Sequence, residues 1–515
     1  MILMMLVVAL ALVVIVPPLV AAMTFAQKVL RGYVVSLAAG YGMGKAANAL
    51  EAKRPPAKRS PKEEPAWDFY LRGQAWRDIV HAHRAGAAAA RGVIAKRAKE
   101  IGKKHFEDPL GNNWLGAFHY LGLALGLLLA LAALVSAGVG TGLFLFVLLG
   151  CSYLALYLLR LVDVVMLRFR GITMTCRVCG HRVTEVLYGC PGCKTTLHGD
   201  VRPGRYGMTR RRCQCGKPFP SMMVLMWFVK QDDKPTLWCP RYRDGEEPHQ
   251  LTGHTGEMAE IVLPVFGAPS AGKTQLITVL IIAMEAMTTR SGGDFTYADD
   301  QSRKWAEDGK RKLVATSRPD KTKIATKGGV APPACSVLVA PRRGTRKLVH
   351  VFDAAGEIFS NAKQIQELQY FRIARTFVFV VDPMSIKSVW DGFELAERQA
   401  FEDRRAQQEP HVTFSETVST MTAMGVDLAK IHLVVAVSKA DLVKPMLADV
   451  DTGDSLAIKE WLEDVGQGNI VRRMETTFKE VTYFLTAALP DEHNDAHPSV
   501  ETFAGLTLAD EGLRL

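Results

Sequence analysis

Charge is missing from two long stretches of this 515-residue chain: residues 1–27 and residues 109–159 contain no Asp, Glu, Lys or Arg. Soluble domains seldom go so far without a charged side chain, so both stretches are expected in a membrane. The first also lacks the basic start of a secretory signal and has a long apolar part, which makes it a retained anchor rather than a cleaved leader. The second lacks a polar face to meet water, which argues against a buried hairpin of a soluble domain. It is about twice as long as one helix needs to cross ~30 Å of hydrocarbon. Its small-residue run SAGVGTG at 136–142 reads as a turn. Three spans are therefore expected, the last two forming an antiparallel hairpin.

Acidic side chains are also scarce. The chain has 63 Lys and Arg against 52 Asp and Glu, a net charge of +11, and residues 28–108 alone have 17 against 8. Basic flanks stay cytoplasmic. The N-terminus is thus expected outside, and everything beyond Arg160 inside, where nucleotides and Mg²⁺ are also found. Within the basic segment, EAKRPPAKRSPKEEP at 51–65 is a charged, Pro-rich linker. The Ala-rich stretch after it opens with Trp67, Phe69, Tyr70, Leu71 and Trp76. It reads either as a helix on the anionic inner leaflet or as a solvated helix whose aromatics pack on its own protein.

Cysteine is rare outside one region: seven of the nine fall between Cys176 and Cys239. In a mainly cytoplasmic chain that points to metal rather than disulfides. Cys176-x2-Cys179-x10-Cys190-x2-Cys193 places two thiolate knuckles on tight turns that Gly180 and Gly192 permit, as tetrahedral Zn²⁺ requires. This stretch resembles a zinc ribbon. A less regular set, Cys213, Cys215 and Cys239 with His249 or His254 as fourth ligand, is a candidate second zinc site. The basic run at 202–217 is read as facing lipid headgroups in preference to nucleic acid.

The stretch at 259–287, AEIVLPVFGAPSAGKTQLITVLIIAMEAM, reads as strand, phosphate loop and helix. Gly267 and Gly272 let successive N–H groups of Ser270, Ala271 and their neighbours point at a phosphate, on the positive end of the helix that follows. Lys273 would reach the β and γ phosphates, Thr274 would enter a Mg²⁺ shell, and Gln275 begins the helix proper. Asp353-x-x-Gly356 ends a later apolar strand, where the carboxylate can hold Mg²⁺ through water and the Gly356 N–H can meet the γ phosphate. Ser438-Lys439-Ala440-Asp441 ends another, and the Asp441 carboxylate can accept from guanine N1–H and the 2-amino group. Lys439 would lie along the base. Thr486 and Ala487 end a further strand, where a backbone N–H can meet guanine O6. Ligands bind at such strand ends in open parallel sheets.

In this order the motifs resemble those of the Ras-like, translation-factor-related class of P-loop GTPases, over roughly residues 257–490. The resemblance implies an α/β fold, a sheet with helices on both faces, that binds GTP or GDP with Mg²⁺. It maps residues 267–274 to the first motif, Asp353 to Gly356 to the third, Ser438 to Asp441 to the fourth with Ser for Asn, and Thr486 with Ala487 to the fifth. The second motif, a Mg²⁺-contacting Thr, would lie in the insertion between 288 and 346, with Thr316 and Thr322 as candidates. Glu357 stands where many such GTPases have a water-orienting Gln, which implies slow hydrolysis. Arg318, Arg372 and Arg375 are alternative candidates for an arginine finger.

The layout also resembles bacterial membrane-anchored zinc-ribbon proteins of the double-GTPase group. Since one phosphate loop is present, a second GTPase, like any protein effector, would be another molecule. The expected domains are an anchor at 1–27, a basic segment at 28–108, a hairpin at 109–170, a zinc ribbon at 171–256, the GTPase at 257–490 and a tail at 491–515. The leading expectation is a membrane-tethered regulatory GTPase. The alternatives are a nucleotide-dependent membrane scaffold with little turnover and a P-loop ATPase.

Overall fold

The computed structural model describes residues 2–40, 66–67, 69–70, 74–107, 113–183, 186–193, 197–199, 201–230, 233–240, 249–316, 334–354, 369–447, 450–487 and 496–515. They divide into two units, Met1–Val162 with Val201–Met222, and Asp163–Asp200 with Met223–Leu515.

In the first unit, α1 (Ile2–Gly40) is apolar almost throughout and α2 (Gln74–Gly102) is Ala-rich and basic. The third helix, α3 (Asn113–Phe169), enters this unit as far as Val162. Phe25 and Val29 of α1, Ala90 of α2 and Ala130 of α3 form a small shared core. Close approach of the backbones needs small residues: a Cβ on Gly122 would stand 2.9 Å from the Pro18 carbonyl oxygen, and one on Gly126 would meet Phe25 at 2.7 Å. Elsewhere α1 and α3 leave their large apolar side chains exposed, Leu10, Val13 and Phe146 among them. Among the described residues, two helices are thus long and apolar enough to cross a membrane, over Met4–Val35 and Gly116–Phe169. Helix α2 lies along α1 with Gly86 against the Tyr33 ring, while Tyr70 and Trp76 of the basic stretch stay exposed, at 45% and 60%.

The expected hairpin is absent. Residues 136–142 continue as helix inside the 57-residue α3. Ser136 and Thr141 donate their hydroxyls to the carbonyls four residues back, of Ala132 and Ala137. Strong helix formers on both sides outweigh the roughly 1 kcal/mol that each glycine costs, and no proline breaks the run.

In the second unit, seven strands form one sheet: β1 (Ala259–Gly267), β2 (Asp294–Tyr297), β3 (Cys335–Ala340), β4 (Lys347–Asp353), β5 (Thr376–Val381), β6 (His432–Val437) and β7 (Glu480–Leu485). Their spatial order is β7-β6-β5-β1-β4-β3-β2. Strands β7 to β4 in that order are parallel, and β3 and β2 add an antiparallel edge. Alternate side chains of the parallel strands enter opposite faces. Phe266, Phe379 and Val435 pack with α6 (Pro410–Ala423), α7 (Ser455–Leu462) and α8 (Gly468–Thr477) on one face. Val265, Val380 and Val434 pack with α4 (Lys273–Arg290) and α9 (Pro498–Asp510) on the other.

Two features complete the domain. The tail closes the domain through α9, whose Phe503 and Leu508 are buried and whose Glu501 takes both Arg290 guanidinium donors at 2.7 and 3.1 Å. The insertion after α4 is itself ordered as β2, α5 (Asp300–Thr316) and β3. The sheet also buries a polar trio. Ser336 Oγ and His350 Nδ1 are hydrogen-bonded at 2.7 Å, and His350 Nε2 lies 4.0 Å from the Glu260 carboxylate. Burial pushes Glu260 up to about 8 and His350 down to about 3.

Candidate functional site

The phosphate loop leaves β1 at Gly267, where a Cβ would stand 2.5 Å from the Val380 carbonyl oxygen of β5. Only glycine lets the two backbones come that close. Ser270 and Gly272 then take left-handed φ values of 65° and 93°, and Gly272 caps α4. Lys273 is buried and donates Nζ to the Gly267 and Ala268 carbonyls at 3.0 and 2.9 Å, so the ammonium is folded over the loop. Ala271 is wholly buried beneath, while Ser270 and Gln275 are partly open.

Thr274 Oγ1 donates to Asp353 Oδ2 at 2.6 Å, though 79 residues separate them. Two oxygen donors side by side are what a hard divalent cation takes, so the pair fits Mg²⁺. The parallel pairing of β1 with β4 produces this meeting, since Val265 is in register with Asp353.

The later motifs gather at the same strand ends. Ser438 Oγ donates to the Ala271 carbonyl at 2.7 Å and to that of Val381 at 3.2 Å, tying the fourth motif to the phosphate loop. Lys439, left-handed at φ 55°, donates Nζ to the Ser270 carbonyl at 3.0 Å. Ala440 N donates to the Thr486 carbonyl at 3.2 Å, which joins the fourth motif to the fifth, and Ala487 N donates to Ser499 Oγ at 3.1 Å. The Asp441 carboxyl opens to solvent on one side, and partial burial raises it above the usual carboxylate range.

One residue of the site has no place in the motif reading. Asp382, buried just beyond β5, accepts from Lys439 Nζ at 2.6 Å, from Ala406 N at 2.7 Å and from Met384 N at 3.0 Å. It fixes Lys439 in position. The signal was present in VVDP, an acidic residue at the end of a buried strand.

Thr322, Gly356, Glu357 and Arg318 lie outside the described residues, and Thr316 is the last residue of α5. Arg372 bonds Gln369 at 3.5 Å, and Arg375 precedes β5, at the strand's far end from the phosphate loop.

A second constellation corrects the cysteine assignment. Cys176, Cys179, Cys239 and His249 come together, each offering a ligand atom within 4.8 Å of the others. Cys176 Sγ lies 3.8 Å from His249 Nδ1, and Cys179 Sγ lies 3.8 Å from Cys239 Sγ. Arms of about 2.3 Å at tetrahedral angles put sulfurs about 3.8 Å apart, so the donor set and its spacing fit Zn²⁺. Cys176 and Cys179 occupy a knuckle closed by Gly180 N to the Cys176 carbonyl at 2.8 Å. Cys239 and His249 stand next to the antiparallel bridge between Trp238 and Gln250, Cys239 N donating to the His249 carbonyl at 2.8 Å.

Cys190 and Cys193 therefore do not complete the Cys176 site, and Cys239 and His249 do not belong with Cys213 and Cys215. Spacing pairs cysteines into knuckles, but not knuckles into sites. Cys190 and Cys193 flank a turn of their own, with Gly192 N directed to Cys190 Sγ at 3.3 Å. Cys213 and Cys215 flank another, closed by Gly216 N to the Cys213 carbonyl at 2.9 Å. His254 faces Glu257 instead, at 3.4 Å.

Comparison with known proteins follows the same division. Residues 261–504 match the model of the Double-GTPase 2 family. None of the curated proteins compared with the chain matches it. Among solved structures, the GTPase-like domain of Ski7 from S. cerevisiae bound to GTP is 17% identical, with a TM-score of 0.27 over 49% of this chain and 50% of that one. Sup35 complexed with GMPPNP is 15% identical, with a TM-score of 0.21 over 44% and 37%. The chain thus spans half or less of those structures, and overlaps this low carry no weight beside the family match and the site itself. Residues 261–504, with the phosphate loop, the Thr274–Asp353 pair and the joined fourth and fifth motifs, form an α/β domain of GTPase-like fold that matches the Double-GTPase 2 family.

Proposed function

We propose that the chain is a membrane-tethered GTP-binding protein that acts as a regulatory switch, with Mg²⁺ held at Thr274 and Asp353. The observation that carries this reading is the docking of Ser438 and Lys439 on the phosphate loop, at Ala271 and Ser270. That docking supports the reading of the fourth motif, with Asp441 as its base-selecting carboxylate, as one site with the phosphate loop. Helices α1 and α3 supply the tether, and the Cys176, Cys179, Cys239 and His249 group takes zinc. The segments holding Thr322, Gly356 and Glu357 respond to the γ phosphate, as switch segments do.

Competition between labelled GTP and ATP on the full chain in detergent, with Mg²⁺, tests the base preference. GTP should win, and Asp441→Asn should abolish the preference. Equal competition by ATP, unchanged in the variant, would return the chain to the P-loop ATPases. Glu357 supports slow turnover, because a carboxylate beside the γ phosphate repels the charge it must help stabilise. Single-turnover hydrolysis should therefore speed up in Glu357→Gln, and an equal or slower variant sinks that assignment.

A further inference from the structure

The knuckle that holds Cys176 and Cys179 touches more than its own site. Arg177, between the two cysteines, donates Nη1 to Asp299 Oδ1 at 2.8 Å and Nη2 to Gln301 Oε1 at 3.0 Å, at the start of α5. Asp299 Oδ1 also takes Ser302 N at 2.8 Å and so caps that helix. The Arg177 carbonyl accepts from Ala334 N at 3.1 Å, at the entry to β3. Gly180 closes the knuckle at φ 65° with Tyr370 against it, so near that a Cβ would lie 2.8 Å from Tyr370 Cδ1 and 3.0 Å from its backbone N. Tyr370 stacks in turn on Phe352, centroids 4.3 Å apart and planes at 11°, and Phe352 precedes Asp353.

These contacts have a common address. Within the insertion, residues 299–301 and 334 stand on either side of the stretch with the switch-threonine candidates, and Tyr370 follows the segment with Gly356 and Glu357. Two residues of one knuckle, Arg177 and Gly180, therefore hold an edge of each of the two segments read as answering the γ phosphate. Cys176 and Cys239 are fully buried, so their thiolates need a cation to be stable where they are.

Resting on the GTP reading above, we propose that Cys176, Cys179, Cys239 and His249 form a zinc site whose occupancy is thermodynamically linked to the nucleotide state. Zinc orders the knuckle; the knuckle holds Arg177 and Gly180 against the flanks of the two segments. Whatever free energy zinc adds to the GTP-bound arrangement, GTP must return to zinc.

The test is a reciprocal titration of the full chain in detergent. Zinc affinity is measured by competition with a chromogenic chelator, with GDP and with a GTP analogue bearing a non-hydrolysable β–γ bridge. Affinities for the analogue and for GDP are each measured with zinc loaded and with zinc removed, and the factor by which zinc changes the preference between them is the second ratio. The two ratios should agree and depart from one by about fivefold or more, the usual range of site coupling. Arg177→Ala leaves all four ligands in place, so it should retain one zinc at this group while its ratio moves towards one.

Zinc affinity that is equal with GDP and the analogue would overturn the linkage but leave site and switch standing. Nucleotide binding without zinc uptake by the group would overturn the site. Zinc uptake without nucleotide binding would overturn the GTP reading, and the linkage with it. An Arg177→Ala ratio equal to that of the unaltered chain would overturn the route through the knuckle.

Discussion

The phosphate loop and the cysteine-rich segment are both built from short motifs at fixed spacing, yet the loop folds as the strand, turn and helix its sequence suggests, whereas the cysteines group differently. In the loop, the donors are backbone groups of eight consecutive residues, 267–274, and their geometry is local. In the cysteine segment each knuckle is local, but the ion needs two knuckles or a knuckle and a bridge. The choice of partner is made by the fold. Local chemistry is legible in a line of sequence, whereas the pairing of distant pieces is a property of three-dimensional packing.

Exchanging cysteines tests that comparison most severely. In zinc-loaded protein, Cys239→Ser should expose Cys176 to alkylation, read by mass spectrometry, while Cys190→Ser should leave Cys176 protected. The reverse pattern would restore the linear pairing. The next effect is smaller and sharpens the nucleotide side. Asp382→Asn removes the buried carboxylate that holds Lys439, and GTP affinity should fall about tenfold or more, the scale of losing one partner of a buried charge pair. Unchanged affinity would mean that Lys439 is held well enough by the Ser270 carbonyl and by that of Arg404, which also accepts from its Nζ.

The smallest effect concerns the sheet itself. Glu260 is raised to about 8 in the folded chain, so between its ordinary value and that pH the folded state holds a proton that the unfolded state has lost. Stability must then fall as pH rises across that window, by at most about 1.4 kcal/mol per pH unit from this group. His350, lowered to about 3, acts at more acid pH: the unfolded state binds the extra proton, so stability rises with pH up to the ordinary histidine value. Denaturant unfolding of Glu260→Gln should lose the first slope and keep the second. A variant with the same slope as the unaltered chain would assign the pH dependence elsewhere.

Most of the nucleotide sheet could be read from its apolar runs, because a parallel strand buried on both faces announces itself. The antiparallel edge could not. Strand β2, DFTY, alternates exposed and half-buried positions, and α5 is largely polar, so both passed for insertion. Asp382 escaped because a single carboxylate after a strand belongs to no fixed spacing. The break expected at 136–142 failed for another reason: glycine, serine and threonine favour a turn only where the chain gains by turning, and here their neighbours keep the helix intact. Helix α9 looked like a weak tail because its partner surface, α4, lies more than two hundred residues earlier.

The unbroken α3 has a consequence that can be put as parity. At ~1.5 Å per residue its 57 residues measure about 85 Å, with no corner at which the chain could double back. A rod crosses a bilayer once or not at all, never twice. If α3 crosses once, the basic segment before it and the nucleotide domain after it face opposite compartments. They share the cytoplasm only if α3 stays on one side. Reporters inserted near residue 60 and fused after residue 515 read that parity directly: like signals make α1 the anchor and α3 a strut beside the membrane, and unlike signals make α3 a true span.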